Sequence, residues 1–264
     1  MIRWCTYCQS YMGESEPFGK FDLTHGLCAN CAKSGVAETA AGVKQLRPLS
    51  DFFRKLRAEV RSGINSDPAA WVRAAFEMGI KPQDLLLGVI QPALYEVGEL
   101  WAKGEITVAA EHRFSAFSEN MVNAIFLHYP DIARNRQSKD PDILLANADG
   151  NYHTLGLKFL ELGLLAAGLK TFTVLPGLPC QEVLGLIKEL RPKAVGLSIS
   201  LPAQAGAASE LAAALQELPE KARPILLIGG LPVKTGAALP EELQAHVCRS
   251  ILDIPLERIR SKGR

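Results

Sequence analysis

Apolar positions along the chain change period twice. Over 50–62, 67–78, 83–103 and 107–128 they recur every three or four residues, the spacing that lays a stripe along one face of a helix. Gly63, Gly79 and Gly104 stand between these runs, and such short connections make neighbouring helices antiparallel, so the pattern predicts a four-helix bundle. In the third run Ile90, Leu94, Val97 and Trp101 recur at helical spacing and carry the stripe to the helix's carboxyl end. Taken alone, a tryptophan so placed reads as a core residue. Beyond the polar stretch 133–140 the apolar runs become short and continuous, and they alternate with helical ones. Strands are expected at 143–148, 171–175, 194–200, 225–229 and 247–252, and helices at 155–167, 181–190, 207–218 and 240–246. That alternation predicts an α/β, Rossmann-like open parallel sheet wound on both faces.

Before the bundle neither period is present, and cysteine spacing takes over. Cys5-x2-Cys8 and Cys28-x2-Cys31 lie 19 residues apart, so two tight turns can offer four thiolates to one tetrahedral zinc ion. Gly13, Gly19 and Gly26 permit those turns. So short a segment cannot bury enough surface to fold alone, and metal binding would supply its folding free energy. His25, three residues before Cys28, could replace a thiolate. Four cysteines already complete the shell, so it is assigned beside the site or to the surface. The run 25–31 also resembles the zinc-ribbon-like segment appended to some bacterial sensory proteins. A structural or protein-docking knuckle is expected. Residues 34–48 read as a linker, partly helical, so the division is 1–45 zinc knuckle, 46–132 helical bundle and 138–264 sheet domain.

Charge and composition narrow the function classes. With 29 Lys and Arg against 28 Asp and Glu, the formal charge is +1 and the pI about 7.6, which gives no general attraction to nucleic acid or anionic lipid. Residues 1–63 hold nine basic against six acidic side chains, too small an excess to argue DNA binding. The longest apolar stretch, near 159–169, is interrupted by Glu161 and too short to span a bilayer, and no leader pattern opens the sequence. Cys180 and Cys248 stand far apart, as isolated thiols of a reducing compartment do. A cytoplasmic protein away from the membrane is expected.

Three features fall at the carboxyl ends of predicted strands, where open parallel sheets bind ligands. His153 sits in the loop 149–156 after the first strand, Ser198 and Ser200 on the third, and Gly229 and Gly230 after the fourth. From His153-x2-Gly156 there are 41 residues to Ser198-x-Ser200, then 28 to Gly229-Gly230. This resembles the signature of cobalamin-binding domains of the methionine synthase and mutase type, over about residues 140–256. The resemblance implies that His153 replaces the cofactor's own dimethylbenzimidazole as lower cobalt ligand. The displaced nucleotide tail would run past Ser198 and Ser200 to Gly229 and Gly230. Family enzymes usually carry Asp two residues before the histidine, where this chain has Asn151; an amide accepts a hydrogen bond but adds no charge. Asp149 is the nearby carboxylate that could compensate.

A helical bundle directly before such a domain resembles the cap shared by methionine synthase, corrinoid methyl carriers and cobalamin photoreceptors. Within it, Trp101-x9-Glu111-His112 looks like the upper-face motif of adenosylcobalamin-dependent photoreceptors related to light-controlled carotenoid-gene repressors. By that resemblance Trp101 covers the adenosyl group, and Glu111 and His112 lie close to it. Light-sensing members often have histidine directly after the tryptophan. Ala102 stands here, which excludes a bis-histidine photoproduct through that position unless His112 substitutes. A zinc knuckle stands where such repressors carry a helix-turn-helix domain, so signalling to a protein partner or a homo-oligomer is expected before direct DNA binding. The implied function is a non-enzymatic, light-sensing cobalamin protein, with a corrinoid methyl carrier of a methyltransferase system as the alternative. A bilin is a further candidate chromophore. A mutase would need a substrate barrel for which 264 residues leave no room.

Overall fold

The structure, a computed structural model, describes residues 1–17, 20–35, 46–62, 66–236 and 243–263. Gly19, Gly63 and most of the predicted linker lie outside them. The chain divides into two compact units, Met1–His128 and Tyr129–Arg264.

The first unit begins with a small sheet in which β1 (Ile2–Cys5) lies between β2 (Tyr11–Glu14), antiparallel, and β3 (Leu23–Gly26), parallel. A short α1 (Ala29–Lys33) starts at Cys28. The four helical runs follow as α2 (Leu46–Ser62), α3 (Pro68–Glu77), a third helix in pieces, and α6 (Val108–His128). The third is α4 (Pro82–Leu85), a π-helical turn at Leu86–Ile90, and α5 (Gln91–Ala102). Asp67 caps α3 by accepting from the Ala69 N–H at 2.9 Å, with Pro68 in the first turn where its missing N–H costs nothing. Gly79 and Gly104 sit at φ +80° and +73°, the left-handed conformation that ends a helix and that only glycine takes without strain. Phe52, Phe53 and Leu56 of α2, Val89 and Ala93 of the third helix, and Phe114, Met121 and Ile125 of α6 are buried, as their spacing requires.

The second unit opens with α7 (Pro130–Ala133). It then alternates β4 (Ile143–Asn147), α8 (Leu155–Ala166), β5 (Thr171–Val174), α9 (Cys180–Leu190), β6 (Ala194–Ser198), α10 (Ala205–Gln216) and β7 (Ile225–Gly229). With β8 (His246–Cys248), the five-stranded sheet is parallel throughout, in the order β5-β4-β6-β7-β8. Strand residues divide by parity: Leu144 and Ala146 pack with α9 and α10, Ile143 and Leu145 with α8. Glu161, the charge that interrupts the longest apolar stretch, is fully buried. It accepts from Arg136 at 2.8 Å and from the hydroxyls of Thr173 and Thr171 at 2.8 and 3.2 Å.

The end of the chain departs from expectation. Of the helix expected at 240–246, residues 240–242 lie outside the described ones, 243–245 are not helical, and His246 opens β8 (His246–Cys248). The helix there is instead the short α11 (Leu231–Lys234), which starts directly after Gly230. The last strand stops at Cys248 because the Asp253 carboxylate accepts the N–H groups of Arg249 and Ser250, both at 2.8 Å, and folds the chain into a turn. A final helix, α12 (Leu256–Ser261), buries Ile259 against the α8 face of the sheet. Among the described residues no helix is long and apolar enough to cross a membrane.

Candidate functional site

The four amino-terminal cysteines come together. Their sulfurs all lie within 4.8 Å of one another, and Cys8 and Cys28 Sγ are 3.7 Å apart. Zinc–sulfur bonds of about 2.3 Å in a tetrahedron give a sulfur–sulfur edge of about 3.8 Å, so the cage has the size of a zinc site. The N–H of Cys28 donates to Cys5 Sγ and that of Cys31 to Cys28 Sγ, both at 3.4 Å. Burial opposes ionisation of Cys5, yet backbone donors at Cys8, Cys28 and Tyr7, with the Cys8 side chain, lower its pKa to about 6. Such a thiolate is ready for a metal at neutral pH. His25 is not part of the cluster; its Nε2 lies 3.5 Å from Ser50 Oγ on α2.

A second set lies at one end of the α5–α6 pair. Trp101 is 50% exposed, against 0% for Trp4, so the stripe that the sequence carries to Trp101 runs out into solvent there. The turn after it is closed by the Gly104 N–H donating to the Trp101 carbonyl at 2.9 Å, and Thr107 Oγ1 accepts the Ala110 N–H at 3.2 Å as α6 begins. Glu111 and His112 follow in the first turn. The Glu111 carboxylate accepts from Ser115 Oγ at 2.7 Å and holds His112 Nδ1 in a short contact. In a neutral imidazole with Nδ1 donating, Nε2 keeps its lone pair, and the His112 side chain is three-quarters exposed. Val108, the first residue of α6, is about as exposed as Trp101.

The third set belongs to the second unit. Strand register aligns Asn147, Ser198, Gly229 and Cys248 in one row across the carboxyl end of the sheet. Above Asn147 stands the loop carrying His153, which is exposed, as is Gly156. Asn151 is fully buried and fixes that loop: Oδ1 accepts the His153 N–H at 3.0 Å, and Nδ2 donates to the Ser198 carbonyl at 2.9 Å. One partner is a donor and the other an acceptor, which an amide satisfies and a carboxylate does not. Asn151 therefore works through the backbone of His153. Asn147 Nδ2 donates to the carbonyls of Asn151 and His153 at 3.2 and 3.4 Å, while its Oδ1 is buried with no partner among the described residues.

Ser198 is half-buried on the row. Ser200 lies past the strand, where its N–H donates to Gln204 Oε1 at 2.8 Å. The two glycines have structural duties of their own. A Cβ on Gly230, at φ +125°, would stand 1.8 Å from the Ile199 carbonyl oxygen, and one on Gly229 would stand 3.1 Å from that of Cys248. Sequence reasoning missed Asn147 and Gln204. The signal for Asn147 was an amide closing an otherwise apolar strand, where a buried polar group needs a partner.

Three comparisons with known proteins give likenesses. Residues 53–125 match the family model described as a B12 binding domain. Over 225 residues the chain is 25% identical to the HTH-type transcriptional repressor CarH of Myxococcus xanthus, covering 85% of this chain and 71% of the repressor. Among solved structures, the monomethylamine corrinoid protein of Methanosarcina barkeri superposes with a TM-score of 0.60 at 17% identity, covering 80% of this chain and 96% of that one, which is a likeness of fold. The chain is thus similar to a B12 binding domain over 53–125 and to that repressor over most of its length, and it carries a four-cysteine segment at its amino end.

Proposed function

We propose that this chain is a non-enzymatic regulatory protein that senses light through adenosylcobalamin and signals by a conformational change to a protein partner or a second copy of itself. The observation that carries this reading is Trp101, a half-exposed indole at the end of α5 with the Glu111–His112 pair across the turn. A stable fold gains nothing by leaving that ring uncovered, whereas an adenosyl group offers a flat apolar face to the ring and polar edges to carboxylate and imidazole. When bound, the cofactor supplies a corrin that absorbs visible light and a cobalt–carbon bond that light can break.

The chain's own residues divide the remaining work. His153, exposed on a loop tied down at Asn151, would present an imidazole nitrogen to the lower face of the corrin. Asn147, whose buried Oδ1 has no donor among the described residues, would with Ser198, Ser200, Gly229 and Gly230 take the polar tail of the cofactor. Loss of the group under Trp101 would remove contacts that hold the cap in one packing, which is the output. Kinship to a transcriptional repressor supports a regulatory role, and the four-cysteine segment supports output by protein contact in a reducing cytoplasm.

The test is the absorption spectrum of the chain loaded with adenosylcobalamin, in the dark and after green illumination, with size-exclusion chromatography of both samples. A spectrum that changes on illumination together with elution volume supports the reading. Stable binding of methylcobalamin, insensitive to Trp101→Ala and exchanging methyl groups with a methyltransferase, would favour a corrinoid methyl carrier instead. A far-red band would add a bilin.

A further inference from the structure

The four-cysteine segment and the helical bundle, distinct in sequence, meet at a close contact between one residue of each. Trp4 precedes the ligand Cys5 on β1 and is wholly buried. Its ring lies over Gly88, where a Cβ would stand 2.4 Å from Cζ2 and 2.9 Å from Cε2, and also 2.9 Å from Cδ2 of Tyr11. Gly88 is the middle of the π-helical turn Leu86–Ile90. A π-turn has poorer geometry than the α-helix around it and persists where something holds it. Here the indole occupies the space that any side chain at 88 would fill.

Two polar ties flank this contact. The buried Asp84 carboxylate, just before the π-turn, accepts the backbone N–H of Tyr11 on β2. Arg57 of α2 donates to Glu96 of α5 at 2.7 Å and to Asp22, beside β3, at 3.1 Å. Each tie binds the ribbon to the third helix or to the helix packed on it.

We infer that the metal ion of the four-cysteine cluster is a structural part of the helical bundle: a divalent, thiolate-seeking ion fixes β1, β1 seats Trp4 on Gly88, and the π-turn so held sets α5, which carries Trp101 in its last turn. The ion would thus govern whether the bundle is formed correctly. Its occupancy and the protection of α5 are thermodynamically linked, each favouring the other. The significance of α5 for a cofactor rests on the function proposed above; the linkage itself does not.

The experiment uses the full chain with zinc and without cobalamin. Zinc is stripped with a chelator and its loss verified by elemental analysis, and amide hydrogen exchange is followed in peptides from α5 and α6. Metal removal is expected to speed exchange there about tenfold or more, within the usual range of such couplings. Unchanged exchange in α5 and α6 with the metal gone would overturn the inference. In the reciprocal arm, Gly88→Ala should bind zinc about tenfold more weakly than the parent chain in equilibrium competition with the chelator. If that variant does not fold, Trp4→Phe, which shortens the wedge, should show the same trend. Zinc affinity equal to the parent's in the variant that folds would overturn the coupling route. Because no arm contains cobalamin, a chain that binds no cobalamin would refute the proposed function and leave this result standing.

Discussion

Replacing Asn151 with Asp is the sharpest perturbation of the loop that carries His153, because it changes one of two tasks. The new carboxylate can still accept the His153 N–H, but it places an acceptor where Nδ2 donates to the Ser198 carbonyl at 2.9 Å, in a fully buried position. The Ser198 carbonyl keeps its bond from the Ala148 N–H at 2.9 Å, so no carbonyl is orphaned. The loss is then one buried hydrogen bond, about 1 kcal/mol, plus the cost of a charge in a dry site facing a carbonyl, for a total of about 2–4 kcal/mol at pH 8. Burial would raise the folded pKa of this carboxyl above its unfolded value of about 3.9. Stability contributed by the protonated form is therefore fully present below about 3.9 and is lost as pH rises through the raised value. Near pH 4–5 the protonated carboxyl can donate to the Ser198 carbonyl, and the penalty should fall to about 1 kcal/mol. Amide exchange of β4 and β6 peptides, corrected for intrinsic rates, reads this directly, with about tenfold in protection per 1.4 kcal/mol. A penalty equal at both pH values, or below about 0.5 kcal/mol, would refute the amide's role as a two-way staple.

Other outcomes follow from the same geometry. Gly230→Ala puts a methyl group on the Ile199 carbonyl at a left-handed φ, so β7 and α11 should lose about 3 kcal/mol or fail to form, as read by urea unfolding of the second unit. Asp84 has its pKa raised by burial, partly offset by the Tyr11 N–H and by Lys81, so native stability falls as pH rises through that value. Asp84→Asn should therefore raise the melting temperature of the first unit at neutral pH, with a gain that disappears in acid. Zinc titration of the metal-free chain should give one ion per chain. It should also release protons at pH 7, since Cys31 is pushed up by Cys28 and by burial and must ionise to bind, which calorimetry in two buffers measures.

Much of the fold was legible because local chemistry and tertiary structure agree. Gly79 and Gly104 read as helix stops and take the left-handed conformation that makes them so. Continuous apolar runs such as 143–147 read as strands buried on both faces, and the parity of Leu144 against Leu145 then fixes which helix each meets. His153, Ser198 and Gly229 read as strand-end residues, and register sets Ser198 and Gly229 in one row with Asn147. What escaped depends on partners distant in sequence. Nothing near Gly88 announces that Trp4 lies on it, so the π-turn was read as ordinary helix. Asn151 looked like a weakened relay carboxylate, and only the Ser198 carbonyl, 47 residues away, explains why an amide is required. Gly229 and Gly230 read as making room for a ligand, and nothing in the sequence tells that the chain's own backbone, at Cys248 and Ile199, also lies where a Cβ would stand. At the carboxyl end the strand expected over 247–252 stops at Cys248, because a short apolar run does not reveal the turn that Asp253 closes at Arg249 and Ser250.

The central claim is that His153 binds the cobalt of a cobalamin held by this chain, and the magnetic resonance spectrum of the reduced, Co(II) cofactor tests it most directly. One axial nitrogen-14 splits each cobalt line into three and one nitrogen-15 into two, so the protein is produced with nitrogen-15 only in histidine. The account predicts doublets, lost in His153→Ala and kept in His112→Ala. Triplets in the labelled protein would mean that the cofactor keeps its own base and that His153 is not its ligand.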